Sequence, residues 1–394
     1  MQNRVSANPG RVLITPEDGS AAFYATLTRA DNPTEAGDPL SKETLLKDAT
    51  AALYGLDATA VPDEVLERIS RMFPANMGVL TVYIASASGS PIDTMIRITP
   101  AINEETDFVT LPNGRFSIFA PPGTYTVSIV GSPFITTSDS SKSVTVTAGC
   151  FVQTSFAAEW VDSGKAYIEE SRTLYVPEHL SSVDLCAIGG GGSGATETNN
   201  NGVATGGAGG YLKNMLSANL GRKTLSITVG AGGERSQSSP GNAGGATTVK
   251  SNGSTILNAP GGGGGKSASS SNAAGADGGS GSGGVYNNVC YDGGSDGSDG
   301  GGNNGGKGQG TTTREFGEAS GTLYCGGGGS MNYGNGTDSA GGAGGGGDGV
   351  YGGNTSATVY GGDGTAYGAG GGAAGAYNYK YSGAGYQGVL IIRW

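Results

Sequence analysis

The stretch SSVDLCAIGGGGSGATETNNNG, Ser181 to Gly202, runs a short apolar segment, Val183 to Ile188, into a glycine tract. It holds G-x-G-x-x-G directly after a strand-like run, the fingerprint of a dinucleotide-binding turn. That turn needs a helix behind the glycines, so that the helix N-terminus faces the pyrophosphate. It also needs an acid about 20 residues on, for the ribose. Here the glycines lead into ATETNNNGVATGGAGG, which has no apolar period, and positions 210–216 hold no Asp or Glu. The stretch therefore predicts no nucleotide site, and no other motif calls for a cofactor. The glycines serve another purpose.

Their distribution says which. Of the 78 glycines in 394 residues, 11 lie in residues 1–188 and 67 in residues 189–394. Collagen would need glycine at every third position and abundant proline, but only Pro240 and Pro260 follow residue 189. A flexible glycine-serine chain conflicts with the strand-like runs between the tracts and with the apolar terminus GVLIIRW. Packed polyglycine fits better. A three-residue-per-turn extended helix exposes its backbone all round. Without side chains, several such segments can lie together and satisfy one another's N–H and C=O groups, offsetting the backbone entropy that glycine loses.

Charge divides the chain in the same place. Residues 1–188 carry 22 acids and 12 bases, residues 189–394 carry 11 and 10, and the whole chain has a net charge of -11. That balance argues against nucleic acid, which wants a basic face. No apolar run approaches the roughly 18 residues of a membrane helix, and the first residues show no secretory signal. Cys150, Cys186, Cys290 and Cys325 lack C-x-x-C spacing, so zinc is not expected and synthesis in a reducing cytoplasm is. Pairing of Cys290 with Cys325, both in glycine-rich loops, stays open.

Residues 1–38 read as irregular, with turn signals at Asn8-Pro9-Gly10 and Asp31-Asn32-Pro33. Ser41 then caps a predicted helix with Leu45, Leu46, Ala49 and Leu53 on one face, and Gly55 ends it. A second predicted helix starts at Pro62 and carries Val65, Leu66, Ile69, Met72 and Phe73. Neither can bury its stripe alone, so they dock on a neighbouring chain or cap the next domain. Residues 78–160 switch to alternation in GVLTVYIASA, TMIRI, GRFSIF, GTYTVSIVG and SVTVTAG, a β-sandwich pattern. Strands are also predicted in GYLKNMLSANL, TLSITVGAGG, GGATTVKSNGSTILNA and GVLIIRW. The fold class is mainly β: short N-terminal helices, a small β-sandwich and a glycine-rich β domain with packed polyglycine segments. The expected domains are 1–77, 78–164 and 165–394.

FAPPGTYTVSIVG resembles prealbumin-like or carboxypeptidase regulatory-like modules, which implies a spacer and carries no functional residue across. TLYVPEHLSSVDLCAIGGGGSG, GGAGGYLKNMLSANLGRKTLSITVGAGG, NAPGGGGG and GVLIIRW, in this order, resemble the glycine-rich domain of phage tail-fibre and baseplate-tip proteins. GDPLSKETLLKDATAALYGL with VPDEVLERI resembles segments of phage tail proteins. The resemblance implies a virion protein made in the host cytoplasm. It implies attachment to tail or baseplate proteins through the N-terminal region, homotrimeric assembly, and recognition of a host-surface receptor by variable loops. Lys266 to Gly349 matches none of these motifs.

Tyrosine-rich loops supply the candidate receptor contacts. Tyr333, Tyr351, Tyr360 and Tyr367 each flank a glycine run, and Tyr377 and Tyr379 follow. A tyrosine offers an apolar face and a polar tip for stacking on sugars, or else fills core between glycine segments. YDGGSDGSDGGGNNGG gathers Asp292, Asp296 and Asp299, a weak calcium-loop pattern that otherwise reads as a solvated polar loop. His179, the single histidine, sits in a turn and suits a structural role. No catalytic motif appears, so a binding protein is expected, with a structural tail component or a glycan depolymerase as the alternatives.

Overall fold

Strict alternation places one face of each early strand in a core. In Gly78–Ala85 every second residue is buried, and Leu80, Val82 and Ile84 lose essentially all solvent contact. Burying each such side chain stabilises the fold by about 1.5–3 kcal/mol. The computed structural model describes residues 11–14, 23–26, 76–103, 106–197, 202–237, 240–353, 357–377 and 379–394. The chain divides into two units, Met1–Ala75 and Asn76–Trp394. In the first, Arg11–Ile14 pairs antiparallel with Phe23–Thr26, so part of the segment read as irregular is a β-ladder. The two predicted N-terminal helices lie outside the described residues.

The second unit opens with two four-stranded sheets packed face to face. One runs in the order Arg115–Ala120, Gly78–Ala85, Phe151–Trp160, Ile135–Thr137, and the other in the order Val109–Leu111, Thr94–Thr99, Gly123–Ile129, Ser141–Val146. Phe151–Trp160 lies parallel to Gly78–Ala85, so the last long strand returns beside the first. Ile96, Ile98, Leu111 and Val127 from one sheet meet Leu80, Val82, Ile84 and Phe156 from the other.

Specific contacts fix the sandwich to the glycine-rich part. Phe134 is fully buried edge-on against Trp394, with centroids 4.9 Å apart. The Trp394 indole N–H donates to the Val161 carbonyl at 2.7 Å. Asp93 accepts from the Tyr175 hydroxyl at 3.1 Å and from the Glu178 N–H at 2.7 Å. His179 packs its ring 4.1 Å from Trp160, a structural post.

Two further sheets form the base of the glycine-rich part. The first is ordered Lys165–Ile168, Val389–Arg393, Val183–Ile188, Leu212–Ala218, and the second Arg172–Val176, Lys223–Thr228, Thr247–Ser251, Ser254–Ala259. Val183–Ile188 is an unbroken apolar run, Asp184 aside, because both of its faces are covered. Val183, Leu185 and Ala187 enter the core between the sheets, while Cys186 and Ile188 join Phe316, Tyr324 and Cys325 on the other side. The C-terminal strand divides in the same way, Leu390 and Ile392 to one core and Val389 and Ile391 to the other. Asp184 points out of these cores and binds the Arg393 guanidinium at 2.8 and 3.0 Å.

From this base the glycine tracts extend as an ordered lattice. Along Gly189–Ala195 the N–H groups are shared among three neighbours in strict rotation. Gly189, Gly192 and Ala195 donate to Tyr211, Ala208 and Thr205. Gly190 and Ser193 donate to Gly245 and Asn242, and Gly191 and Gly194 to Tyr386 and Gly383. A period of three with no internal bond is the polyproline II pattern. The next segment repeats it: Thr205, Ala208 and Tyr211 donate to Lys266, Gly263 and Pro260, while Gly207 and Gly210 donate to Gly371 and Gly368. These N–H groups all bind backbone, which disposes of the dinucleotide reading. Close approach is what requires glycine here: a Cβ on Gly192 would strike the Gly263 carbonyl, and one on Gly207 the Gly192 carbonyl.

Lys266 to Gly349, which carries no recognisable motif, belongs to the same lattice. Gly209 donates to Ser280, Gly281 to Ser298, Gly300 to Gly306, Gly327 to Gly294 and Gly328 to Gly207. Shared backbone bonding holds the insertion, together with small clusters such as Phe316, Tyr324 and Cys325 at the base and Met331 with Tyr333 further out.

Candidate functional site

The hydrogen-bond register sorts the glycine-rich part into a base and a tip. Gly189–Ala195 leaves the base sheet at Ile188, and residues 205–211 return to it at Leu212, paired in antiparallel order. Six residue steps at roughly 3.1 Å each give about 19 Å of outward reach. Residues 260–266 run outward from Ser254–Ala259, and 368–374 run outward to Ala374, which bonds Ala195. Residues 383–387 return to Val389–Arg393. What lies at the far end is therefore a set of short loops and bridges: Ser267–Ala268, Val285–Tyr286 with Val289–Cys290, Met331–Asn332 with Thr337–Asp338, Val350–Tyr351 and Val359–Tyr360, with Ala374–Gly375 and Lys380–Tyr381 beside the last two.

Five of the six candidate tyrosines reach this tip, and they do different jobs. Tyr360, Tyr377 and Tyr379 are 51%, 53% and 63% exposed. Tyr360 lies nearly parallel to Tyr381, with centroids 5.3 Å apart, and the Arg235 guanidinium sits 5.0 Å from its ring. Arg235 is itself ion-paired with Asp363. Tyr333, only 8% exposed, packs with Met331, Ala195, Ala204 and Ala373 and meets half-buried Tyr351 edge-on at 5.5 Å. Tyr333 and Tyr351 thus floor the tip. Tyr367 is at the base, ringed by Tyr167, Tyr324 and Tyr386, with its hydroxyl donating to Glu169. Burial, with that carboxylate second, pushes its phenol up to about 12.

A buried ion pair anchors the exposed loop. Lys380 donates to Glu197 Oε1 at 2.6 Å, and the Glu197 side chain is wholly buried. Burial raises the Glu197 carboxyl above the usual carboxylate range, against the pull of Lys380. Lys380 also reaches the Ala376 carbonyl at 3.4 Å, which ties both ends of the Tyr377–Tyr379 segment. Sequence reasoning missed this pair, since a lone Glu197 and a lone Lys380 sit 183 positions apart.

The three aspartates of the calcium-like stretch are engaged separately. Asp292 accepts from the Ala340 N–H at 2.9 Å. Asp296 accepts from the Thr312 hydroxyl and the Thr313 N–H and pairs with Arg314. Asp299 binds Lys307 at 2.7 Å and the Gly308 N–H at 2.9 Å. Hydrogen bonding and these cations hold Asp296 and Asp299 below the usual carboxylate range. Among the described residues no group of three or more His, Cys, Asp or Glu is placed to hold a metal. No helix of the described residues is long and apolar enough to cross a membrane.

The four thiols are free, with Cys325 buried at the base and Cys290 half-buried at the tip hairpin. Burial pushes Cys186 up to about 12 and Cys325 well above the ordinary thiol value, and raises Cys290 as well. Only thiolate reacts with an aromatic disulfide reagent. At pH 8 the native chain is expected to release one equivalent quickly, from exposed Cys150, and a second slowly, from Cys290. The remaining two should appear only in denaturant, and fast reaction of all four in buffer would contradict the buried base.

The fold and its loops define a class: a β-protein whose glycine tracts build an ordered scaffold for a loop-bearing tip. The glycine-rich domain family model matches residues 168–394, more than half of the chain, and the chain belongs to that family. Comparison with curated proteins finds no match. Among solved structures, a streptococcal ancillary pilin is 8% identical with a TM-score of 0.20, over 48% of this chain and 59% of the pilin chain. A DUF3823 family protein from Parabacteroides merdae is 12% identical with a TM-score of 0.17, over 48% of this chain and 98% of that one. Scores this low bear on neither architecture nor function.

Proposed function

We infer that this chain is a tail-fibre or baseplate-tip adhesin of a phage or phage-like particle, a binding protein without turnover. Its N-terminal region joins other tail proteins, its chains associate as homotrimers, and its C-terminal domain meets a glycan or protein on the host surface. One observation carries the reading: three tyrosines, Tyr360, Tyr377 and Tyr379, stand exposed on loops at the end of a scaffold whose own backbone is satisfied internally. Exposed aromatic groups on rigidly held loops are the composition of recognition surfaces. The resemblance of TLYVPEHLSSVDLCAIGGGGSG and its companion motifs to tail-fibre domains supports the particle assignment.

The purified full chain is expected to bind host cells saturably and to block adsorption of the particle that carries it. Light scattering at micromolar concentration is expected to return three times the 38.9 kDa chain mass. Absence of cell binding would leave a purely structural tail component. New reducing ends released from host glycan would make it a depolymerase.

A further inference from the structure

Tyr367, displaced from the tip, belongs to a second surface. Lys165–Ile168 is the edge strand of its sheet. Beside it Tyr167 and Tyr386 both pack on Tyr367, with centroids 6.2 Å and 5.8 Å from its ring. Buried Tyr324 also packs on Tyr367 at 5.9 Å. Tyr167 and Tyr386 remain 39% and 40% exposed. Two of the hydroxyls are fixed by carboxylates: Tyr367 donates to Glu169, and Tyr167 to Glu315 Oε2 at 3.4 Å. A concavity of about 370 Å³ opens next to Tyr167, lined by Tyr167, Ile168, Glu169, Glu170 and Arg172. Arg172 is turned away, donating to the Gly131 carbonyl of the sandwich.

We propose that this flank is a carbohydrate site for one or two neutral pyranose units, separate from the tip. A pyranose presents a C–H face and a rim of hydroxyl donors. The tyrosine faces match the first, and the Glu169 and Glu170 carboxylates, which only accept, match the second. The Glu169 and Glu170 carboxylates, set against the single Arg172 guanidinium of the lining, disfavour acidic sugars and phosphates. The volume lies at the small end of ligand sites, enough for a sugar ring and too small for a folded partner. Rings locked by packing and hydrogen bonds also lose little freedom on binding. The site does not depend on the tail-fibre reading, since any glycan-bearing surface could supply its ligand.

The test uses the full chain on an array of neutral, amine-bearing and acidic oligosaccharides, followed by calorimetry with the strongest neutral binder. Wild type is expected to bind at least one neutral oligosaccharide. The Tyr167→Ala/Tyr386→Ala variant should weaken that binding at least tenfold, while Leu216→Ala, an exposed residue on the opposite edge strand of the same sheet, leaves it within twofold. Should the flank double variant fail to fold by circular dichroism, Tyr386→Ala alone must still weaken binding at least threefold. The proposal is overturned if no neutral oligosaccharide binds, if acidic ones bind better, or if the flank variant keeps the binding.

Discussion

Gly371→Val is expected to destabilise the C-terminal domain by several kcal/mol, and Gly345→Val to do the same for a different reason. The Gly371 N–H donates to Gly192 at 2.9 Å, and its carbonyl accepts from Gly207 at 2.8 Å. A Cβ there would fall on the Gly383 carbonyl, closer than any real Cβ contact. The obstacle is backbone, so no rotamer change relieves it. The segments must separate, which adds unmade buried hydrogen bonds to the overpacking cost. Gly345 has φ +88, and a Cβ there would lie 2.6 Å from the Ala366 Cβ. A β-branched residue at that φ is strained before any clash is counted. The control is Gly131→Ala, where the nearest atom to the new Cβ is the Arg172 guanidinium at 3.6 Å, with an expected change below about 1 kcal/mol. Urea midpoints of the three variants decide the matter. Flexible tracts would show no difference among them.

Replacing Tyr360, Tyr377 and Tyr379 together by alanine is expected to weaken cell binding at least about tenfold, roughly 1.4 kcal/mol, with the melting temperature unchanged. The three rings are exposed aromatic groups of the tip, and their removal opens no core. Tyr333 is left in place, because deleting a ring from its buried setting would cost on the order of 3–5 kcal/mol and confuse lost binding with lost fold. The binding is also expected to hold between about 50 mM and about 500 mM salt, a range that spans the usual screening lengths. Residues 189–394 carry 11 acids and 10 bases, so no net field steers a charged polymer. Stacking and short hydrogen bonds are weakly screened, whereas exposed ion pairs are strongly screened. Collapse at high salt with the triple variant unaffected would transfer recognition to charges such as Arg235 and Asp363.

The strands are legible wherever side chains alternate or run apolar: Gly78–Ala85, Gly123–Ile129, Val183–Ile188 and Val389–Arg393 all fall on segments that pattern alone marks. The need for packed glycine is legible too, because 67 glycines with little proline and no strict period leave few alternatives. Which tract touches which is not. Register is normally written in side chains, and Gly189 to Gly192 have none, so the neighbours at Tyr211, Gly245 and Tyr386 leave no mark in the sequence. Arg11–Ile14 and Phe23–Thr26 escape a reading by pattern because four residues give too short a period to detect. The tyrosines show the same limit. Tyr333 and Tyr377 each stand beside asparagine in a glycine-rich stretch, yet one is a floor and the other a surface, a difference set by partners remote in the chain.

The threefold rotation of hydrogen bonds gives each glycine segment a reading frame. Adding or deleting one residue within Gly189–Ala195 would turn every later N–H by a third of a revolution, toward the wrong neighbour. Three residues restore the phase and lengthen the segment by about 9 Å, but only if the segments around it grow in step. Loops between segments carry no such constraint, because the count restarts where the chain turns. Length changes in descendants of this sequence should therefore be free at the tip and come in triplets, several segments at once, within the scaffold.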